Sequence, residues 1–295
     1  MQKCNNYILD SRLIVTTNNS LYDLKLVDCG DYIQVYIYET KKIRKNKNEK
    51  SLDLELKKID IKNKFQLKDF KSINTIEKGT LNEIDLKNIT RSKLGCQRLV
   101  KCNIKNWKSF ITLTIKENIT DIATANKMFR NYIDTIKRVK KDFMYIAIPE
   151  FQKRGAIHYH LLTNLECGSV FLPKQPLKRL FNPSSKIWKE LEYYNIKYWQ
   201  NGYSSAEIIT GDIKKIIGYI SKYMTKDIDN RLFNRHRYFY SRNLKKPFES
   251  YININNQLDK NYYKKIIQDT EIIYQNIYIN PYDNNSVKFL ELLKK

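Results

Sequence analysis

The sequence predicts an α+β fold in which a central antiparallel sheet is flanked by helices and carries N- and C-terminal extensions. DFMYIAIPE (142–150) and AIHYHLLTN (156–164) read as two strands, and the turn between them is too short for a crossover, so they pair antiparallel. Helical spacing of apolar residues recurs on both sides of this pair, over 121–139 and 212–226. A hairpin with interspersed helices is typical of an α+β sheet rather than of a wound parallel one.

Residues 1–105 are predicted to form an N-terminal flank with a hairpin, a basic loop and a helix. LYDLKLVDCG and DYIQVYIYET alternate in hydrophobicity and would turn at Cys29–Asp31. KKIRKNKNEK (41–50) is too charged to pack, so we expect a solvated loop there. Helical spacing over 81–105 leads into the strand SFITLTI (109–115).

Residues 106–228 are predicted to form the core domain, and residues 229–295 a basic C-terminal extension. After the hairpin, the core would continue with a basic helical stretch over 176–193 and a short strand, SAEIIT (205–210). The extension would hold a basic strand, RYFYSRNL, and a final short helix. We find no internal repeat and no linker rich in Gly, Ser or Pro.

The formal charge of the chain is +23, because 54 Lys and Arg oppose 31 Asp and Glu. Self-repulsion of this size disfavours compaction, and a polyanionic partner usually compensates it. Nucleic acid is therefore the expected partner, ahead of an anionic membrane surface. The sequence has neither an N-terminal apolar h-region nor an apolar stretch of membrane-spanning length. The five cysteines form no CxxC pair and are typical of reduced thiols, so we expect a cytoplasmic protein with no membrane attachment.

Two of the three histidines, His158 and His160, lie two residues apart in the second strand of the predicted hairpin. Alternate side chains of a strand point to the same face, so the imidazoles project together, about 6–7 Å apart. If Lys153–Gly155 forms a three-residue loop, Gly155 takes the left-handed conformation and Glu150 lies opposite His158. Two imidazoles and a carboxylate that leave coordination positions open suit a catalytic metal ion. The alternative is a structural histidine pair that only hydrogen-bonds its neighbours.

The helix in GDIKKIIGYISKYMTKD (211–227) carries two tyrosines away from its apolar stripe. That stripe, at helical spacing, consists of Ile213, Ile216, Ile217, Ile220 and Met224. Tyr219 and Tyr223 fall with Lys222 and Lys226 on a different face, and each tyrosine has a lysine three residues later. A phenol, with a pKa of about 10, needs activation by a cation or by a metal-polarised electrophile. The alternative is an amphipathic helix edge with lysine stems lying along it.

Three motifs in this order resemble those of HUH-type Rep endonucleases, the rolling-circle replication initiators of phages, plasmids and small single-stranded DNA viruses. They are FITLT (110–114), EFQKRGAIHYH (150–160) and YISKYMTKD (219–227). The tyrosine motif follows the HUH motif, as in Rep proteins, whereas conjugative relaxases carry their tyrosine first. The resemblance covers about residues 108–227 and implies a ferredoxin-like or RRM-like core with the tyrosine helix beside its sheet.

The resemblance implies that Glu150, His158 and His160 bind a divalent metal ion, Mg2+ or Mn2+. That ion would polarise the scissile phosphate of a single-stranded or extruded replication origin. A tyrosine would attack this phosphate, nick one strand and leave a 5′-phosphotyrosyl link with a free 3′-OH. The link would later be resolved by rejoining, so that the protein both initiates and terminates rolling-circle replication.

By the same resemblance, Tyr223 is the expected nucleophile for initiation and Tyr219 the nucleophile for the second transfer. Lys222 and Lys226 would orient phosphate or DNA. The threonines of the first motif, at positions 112 and 114, are expected to be structural strand residues.

The basic C-terminal extension is expected to contact the DNA backbone. Its candidate residues are Arg235, Arg237, Arg242, Lys245 and Lys246, and His236 would be part of the same basic surface. No GxxxxGK[ST] motif occurs, so we expect strand separation by a helicase of a bacterial host and extension of the 3′-OH by the host polymerase.

Three alternatives fit parts of the sequence. A non-haem iron oxygenase also uses two histidines and a carboxylate, but it explains neither the charge nor the tyrosine helix. Single-strand transposases share the HUH chemistry but are usually much shorter. A non-catalytic DNA-binding protein, such as a repressor or a packaging protein, would have a structural HxH and no metal-dependent nicking. A Glu/His/His cluster that faces Tyr223 would count against this last alternative.

Overall fold

The structure is a computed structural model, and it describes most of the chain. The described residues are 21–43, 83–152, 155–182, 187–209, 213–225, 236–279 and 284–295. The chain divides into two compact units, one comprising Met1–Asn74 with Pro247–Lys295 and the other comprising Thr75–Lys246. Each unit combines an antiparallel sheet with helices, so the predicted α+β class is confirmed. No helix within the described ranges is both long enough and apolar enough to cross a membrane.

The described residues form twelve strands and four α-helices. The strands are β1 (Leu21–Cys29), β2 (Tyr32–Ile43), β3 (Ser109–Thr114), β4 (Tyr145–Phe151), β5 (Ile157–Thr163), β6 (Lys174–Asn182), β7 (Ile187–Tyr194), β8 (Ser204–Ile208), β9 (Phe239–Tyr240), β10 (Phe248–Ile252), β11 (Thr270–Ile279) and β12 (Ser286–Lys294). The helices are α1 (Glu83–Cys102), α2 (Ile122–Val139), α3 (Ile213–Thr225) and α4 (Gln257–Gln268), and a 3₁₀ turn spans Ile104–Asn106.

The first unit is a five-stranded antiparallel sheet with the order β10-β1-β2-β12-β11. The predicted N-terminal hairpin is confirmed as β1 and β2, which turn at Gly30 with a φ of 84°, a conformation that favours glycine. Of the predicted loop over 41–50, the first three residues continue β2, and the rest lies outside the described residues. The C-terminal strands extend this sheet, since β12 pairs with both β2 and β11.

The second unit contains a seven-stranded sheet with the order β6-β7-β8-β3-β5-β4-β9. The predicted helices over 81–105, 121–139 and 212–226 are present as α1, α2 and α3. The division differs from the predicted boundaries after 105 and 228, because α1 and β9 group with the core strands.

Two parts of the predicted secondary structure differ from the structure. The basic stretch over 176–193 is not a helix but the paired strands β6 and β7. Two features disfavour a helix there: Pro176 and Pro183 interrupt it, and IWKELEYY is rich in aromatic and β-branched residues. The C-terminal extension contains one helix, α4, as predicted, but it continues into the β11–β12 hairpin, which the sequence patterns did not reveal.

One face of the seven-stranded sheet forms the larger apolar core. Alternate residues of β3 and β5 point to this face, among them Ile111, Leu113, Tyr159 and Leu161, all fully buried. Helix α2 covers them with one apolar side, and its first turn is capped by the side chain of Asp121, which accepts two backbone N–H bonds. This face therefore anchors the sheet and leaves the intervening residues to the opposite face.

The opposite face packs against α1 and α3. Its apolar part contains Ile146, Ile148 and Leu162 of the sheet, together with Ile216 and Ile220 of α3. Three of the residues predicted for the apolar stripe of α3, namely Ile216, Ile220 and Met224, are buried here. Packing of this stripe fixes which side of α3 is turned toward the sheet, and thereby the position of both tyrosines.

Candidate metal centre and tyrosine helix

The hairpin between β4 and β5 aligns the predicted metal ligands. Glu150 lies directly opposite His158, and the N–H of Gln152 donates to the carbonyl of Ala156 over 2.8 Å. The N–H of Gly155 donates to the carbonyl of Gln152, and Gly155 has a φ of 90°. These are the register and the left-handed glycine that a three-residue loop requires, so the predicted alignment of Glu150 with His158 is confirmed.

The three side chains converge on one point. The nearest ligand atoms of Glu150, His158 and His160 all lie within 4.8 Å of one another, and Oε2 of Glu150 is 2.5 Å from Nε2 of His160. His160 is only 4% exposed, whereas Glu150 and His158 are half-buried. The cluster is therefore accessible from the side of Glu150 and His158.

Thr112 of β3 holds the other nitrogen of His160. Its Oγ1 lies 3.2 Å from Nδ1 of His160, and the two residues face each other in the β3–β5 ladder. With Nδ1 engaged by the hydroxyl, Nε2 is the nitrogen directed at Glu150. Such an outer contact fixes ring orientation in metal sites.

The donor set fits a divalent metal ion. Two imidazoles and one carboxylate can bind one face of an ion and leave its remaining positions to water or substrate oxygens. The convergence of Glu150, His158 and His160 on one point meets the geometric requirement. Between the two ions implied by the resemblance, Mn2+ accepts imidazole nitrogen more readily than Mg2+, which prefers oxygen ligands.

Both predicted tyrosines of α3 lie at this cluster. The ring of Tyr223 stacks on the ring of His160, with centroids 3.6 Å apart and planes inclined by 17°. The ring of Tyr219 is 4.8 Å from that of Tyr223 and 4.0 Å from that of Phe110 in β3. The helix thus places one tyrosine against a metal-ligand candidate and the other one turn further back.

The hydroxyl of Tyr219 is more enclosed than its position near the cluster suggests. It is hydrogen-bonded to Thr112 and to Tyr223. Burial raises the pKa of this hydroxyl well above its ordinary value, and the neighbouring Tyr223 raises it further, while the bond to Thr112 opposes the shift. Tyr219 therefore stays protonated at neutral pH in this arrangement.

The lysines of α3 are placed differently from the expectation that each would lie near a tyrosine hydroxyl. Nζ of Lys222 lies 5.6 Å from the ring centroid of Tyr223, so its contact is with the ring face. Lys226 lies outside the described residues.

The predicted basic surface of the C-terminal extension is only partly described. Arg242, Lys245 and Lys246 are exposed, and Arg237 is half-buried. His236 is exposed, with its ring 6.5 Å from that of Phe239. Arg235 lies outside the described residues.

Sequence reasoning missed the part played by the first strand motif. Thr112 was expected to be a structural strand residue, yet it contacts both His160 and Tyr219. The available signal was the alternation of FITLT, which puts Phe110, Thr112 and Thr114 on one face. That face becomes the site face only once the pairing of β3 with β5 is known.

A sheet that carries a Glu/His/His cluster beside a tyrosine-bearing helix is the arrangement that the resemblance to HUH-type initiators implies. Residues 108–228 match the model of a family described as replication-associated proteins of the ORF2 type. The phasyl DNA replicon protein arp of Escherichia coli is 28% identical over 128 residues, which cover 41% of this chain and 44% of the relative. The chain thus spans less than half of that relative's length, and no solved structure matches. These matches confirm the resemblance to rolling-circle replication initiators over the segment that carries the three motifs.

Proposed function

We propose that this protein is a metal-dependent DNA strand transferase that nicks one strand at a replication origin and later rejoins it. The observation that carries the proposal is the stacking of Tyr223 on His160, within a Glu150/His158/His160 cluster, in the segment that matches replication-associated proteins. The charge of +23 supports DNA as the substrate. Single-stranded DNA of the origin is the proposed substrate, acted on in the cytoplasm of a bacterial host together with its helicase and polymerase.

In the proposed cleavage, the phenolic oxygen of Tyr223 loses its proton and bonds to the phosphorus of the scissile phosphodiester. The bond from phosphorus to the 3′ oxygen breaks, and that oxygen takes up a proton to become a free 3′-OH. The 5′ phosphate remains linked to Tyr223. A divalent ion held by Glu150, His158 and His160 would supply charge stabilisation at a phosphate oxygen. Attack on the phosphotyrosyl link by a 3′-OH reverses the bond changes and rejoins the strand.

The two tyrosines support different roles. Tyr223 contacts His160 directly, whereas the hydroxyl of Tyr219 is hydrogen-bonded to Thr112 and Tyr223. We assign the first nick to Tyr223 and the second transfer to Tyr219, which would need a shift of its hydroxyl away from Thr112. Lys222, which lies over the ring of Tyr223, is placed to meet a phosphate, and Lys226 is proposed for the same task.

The test is covalent capture on single-stranded DNA. Labelled fragments tiled across the replicon that encodes the chain are incubated with Mn2+, Mg2+ or EDTA, and the products are separated on a denaturing protein gel. We expect an SDS-stable adduct with Mn2+ or Mg2+, none with EDTA, and loss of the adduct in Tyr223→Phe. The adduct should persist in Tyr219→Phe, whose defect would lie in rejoining.

Tyr278→Phe is the matched control, because this tyrosine is exposed on the five-stranded sheet. It should form the adduct at the wild-type level. Salt-sensitive DNA binding with no adduct on any fragment would refute the proposal and favour a non-catalytic DNA-binding protein. An adduct that survives the double change of Tyr219 and Tyr223 would refute the assignment of the nucleophiles.

A further inference from the structure

Tyr203 is a large aromatic side chain left open on the face of the sheet that carries the metal cluster. It is 72% exposed, the highest value among the exposed tyrosines of the described residues. It precedes β8, and its carbonyl accepts the N–H of Thr114 over 2.7 Å. Thr114 in turn lies opposite His158 in the β3–β5 ladder.

This pairing places Tyr203 in the same row as the cluster. Directly opposed residues of an antiparallel sheet share a face, so the row runs from Glu150 through His158 and Thr114 to Tyr203. Two strand spacings separate Tyr203 from His158, which puts their backbones about 10 Å apart. The burial pattern agrees, because Ser204, which points to the opposite face, is buried.

The backbone that presents Tyr203 is held tightly against β3. The N–H of Lys116 donates to the carbonyl of Asn201, and Nε1 of the buried Trp199 donates to the carbonyl of Thr114. Between these bonds lies Gly202, where an added Cβ would come within 2.3 Å of the carbonyl oxygen of Thr114. Only glycine permits this approach. An exposed ring on so constrained a backbone loses little freedom when a ligand contacts it.

We infer that Tyr203 is a stacking platform for a base of the single-stranded DNA close to the cleaved phosphate, an inference that rests on the proposed function. Exposed aromatic rings on a sheet face bind unpaired bases by stacking, which tolerates any base because every base has a π-face. A strand whose phosphate lies at Glu150 and His158 would extend along this row over Tyr203. The tyrosine would thus hold the strand on the side of the site away from α3.

The experiment measures binding and stacking without cleavage. The full chain in EDTA is titrated into fluorescein-labelled oligo(dT), for wild type, Tyr203→Ala and Tyr203→Phe, with Tyr278→Ala as the exposed-tyrosine control. We expect Tyr203→Ala to bind about 5- to 100-fold more weakly, as the loss of one stacked base predicts, while the other two variants bind like wild type. In a fragment that forms the adduct, 2-aminopurine is then placed at each position flanking the mapped nick. Its fluorescence should be quenched at one position by wild type and not by Tyr203→Ala.

The outcomes separate this inference from the proposed function. Adduct formation by wild type, together with equal affinity and equal quenching for Tyr203→Ala, would overturn the role of Tyr203 and leave the strand transferase in place. Wild type that neither binds oligo(dT) nor forms an adduct would overturn both. Mn2+ affinity measured by calorimetry should be the same in Tyr203→Ala and wild type, because Tyr203 contacts no ligand candidate; a loss there would overturn the stacking explanation.

Discussion

The two faces of the seven-stranded sheet are built from the same strands but differ in composition. In β5, Tyr159 and Leu161 point into the core under α2, while His158 and His160 point to the other face. The first face is apolar along its whole described length. The second changes along the strands, from Leu162 in the core, through His160, to His158 beside the hairpin.

This difference explains how α3 can be both packed and chemically useful. Ile216 and Ile220 bury themselves on the apolar end of the second face, which fixes the helix. The same packing holds Tyr223 over His160, at the point where the face turns polar. Stability is thus concentrated on one face and chemistry on the other, and substitutions on the two faces should fail in different ways.

The largest effect is expected from removing a ligand candidate. His158→Ala should lower the rate of adduct formation about a thousandfold, since charge stabilisation by a metal is worth several kcal/mol and each 1.36 kcal/mol is tenfold in rate. Calorimetry should show loss of Mn2+ binding, with a melting temperature without metal close to that of wild type. His236→Ala, which alters an exposed histidine, is the control and should change neither. Retained Mn2+ affinity in His158→Ala would show that the cluster is not the metal site.

A substitution on the apolar face should have the opposite profile. Leu161 is fully buried under α2, so Leu161→Ala should lower the free energy of unfolding by about 2–5 kcal/mol, measured by urea denaturation. The folded fraction should keep its Mn2+ affinity, because the side chain points away from the cluster. Leu161→Met, which conserves volume, should lose less than about 1.5 kcal/mol. Loss of Mn2+ affinity in folded Leu161→Met would show that the two faces are not independent.

The sequence predicted the parts of this arrangement that depend on local spacing. Counting back through a three-residue loop placed Glu150 opposite His158, and helical spacing put both tyrosines of α3 beside its apolar stripe. The contact of Thr112 with His160 could not be predicted in this way, because the register of β3 against β5 joins segments far apart in the chain. The misassigned stretch over 176–193 fails for a related reason: its strand structure is set by pairing between β6 and β7 and not by local propensity.

Thr112 sharpens the comparison, because it lies on the chemical face but is not a ligand candidate. Thr112→Val keeps the shape of the side chain and removes the hydroxyl that holds Nδ1 of His160. We expect Mn2+ affinity to fall about 10- to 100-fold, the usual cost of losing an outer contact to a ligand. Thr114→Val, two residues along the same face, is the matched control and should bind Mn2+ like wild type. Equal affinities in the two variants would mean that Thr112 does not position His160.

The smallest expected effect, and one of opposite sign, comes from a hydroxyl on the apolar face. Tyr132 of α2 is buried, and its hydroxyl has no hydrogen-bond partner among the described residues. Tyr132→Phe should therefore raise the free energy of unfolding by about 1 kcal/mol. Tyr159→Phe is the contrast, since the Tyr159 hydroxyl donates to Asn126 over 2.8 Å and its removal should destabilise. A stability loss in Tyr132→Phe would show that its hydroxyl is satisfied.

The same variant has a pH signature. Burial raises the pKa of Tyr132, so the folded state keeps the phenol neutral while the unfolded state ionises above a pH of about 10. The stabilising contribution of the neutral phenol is thus complete below that pH and is lost as the pH rises above it. Unfolding free energies measured between pH 9 and 11 should therefore decline less steeply in Tyr132→Phe than in wild type, by at most about 1.4 kcal/mol per pH unit. Parallel declines would show that Tyr132 ionises equally in both states, and that this face tolerates a charge as the opposite face does.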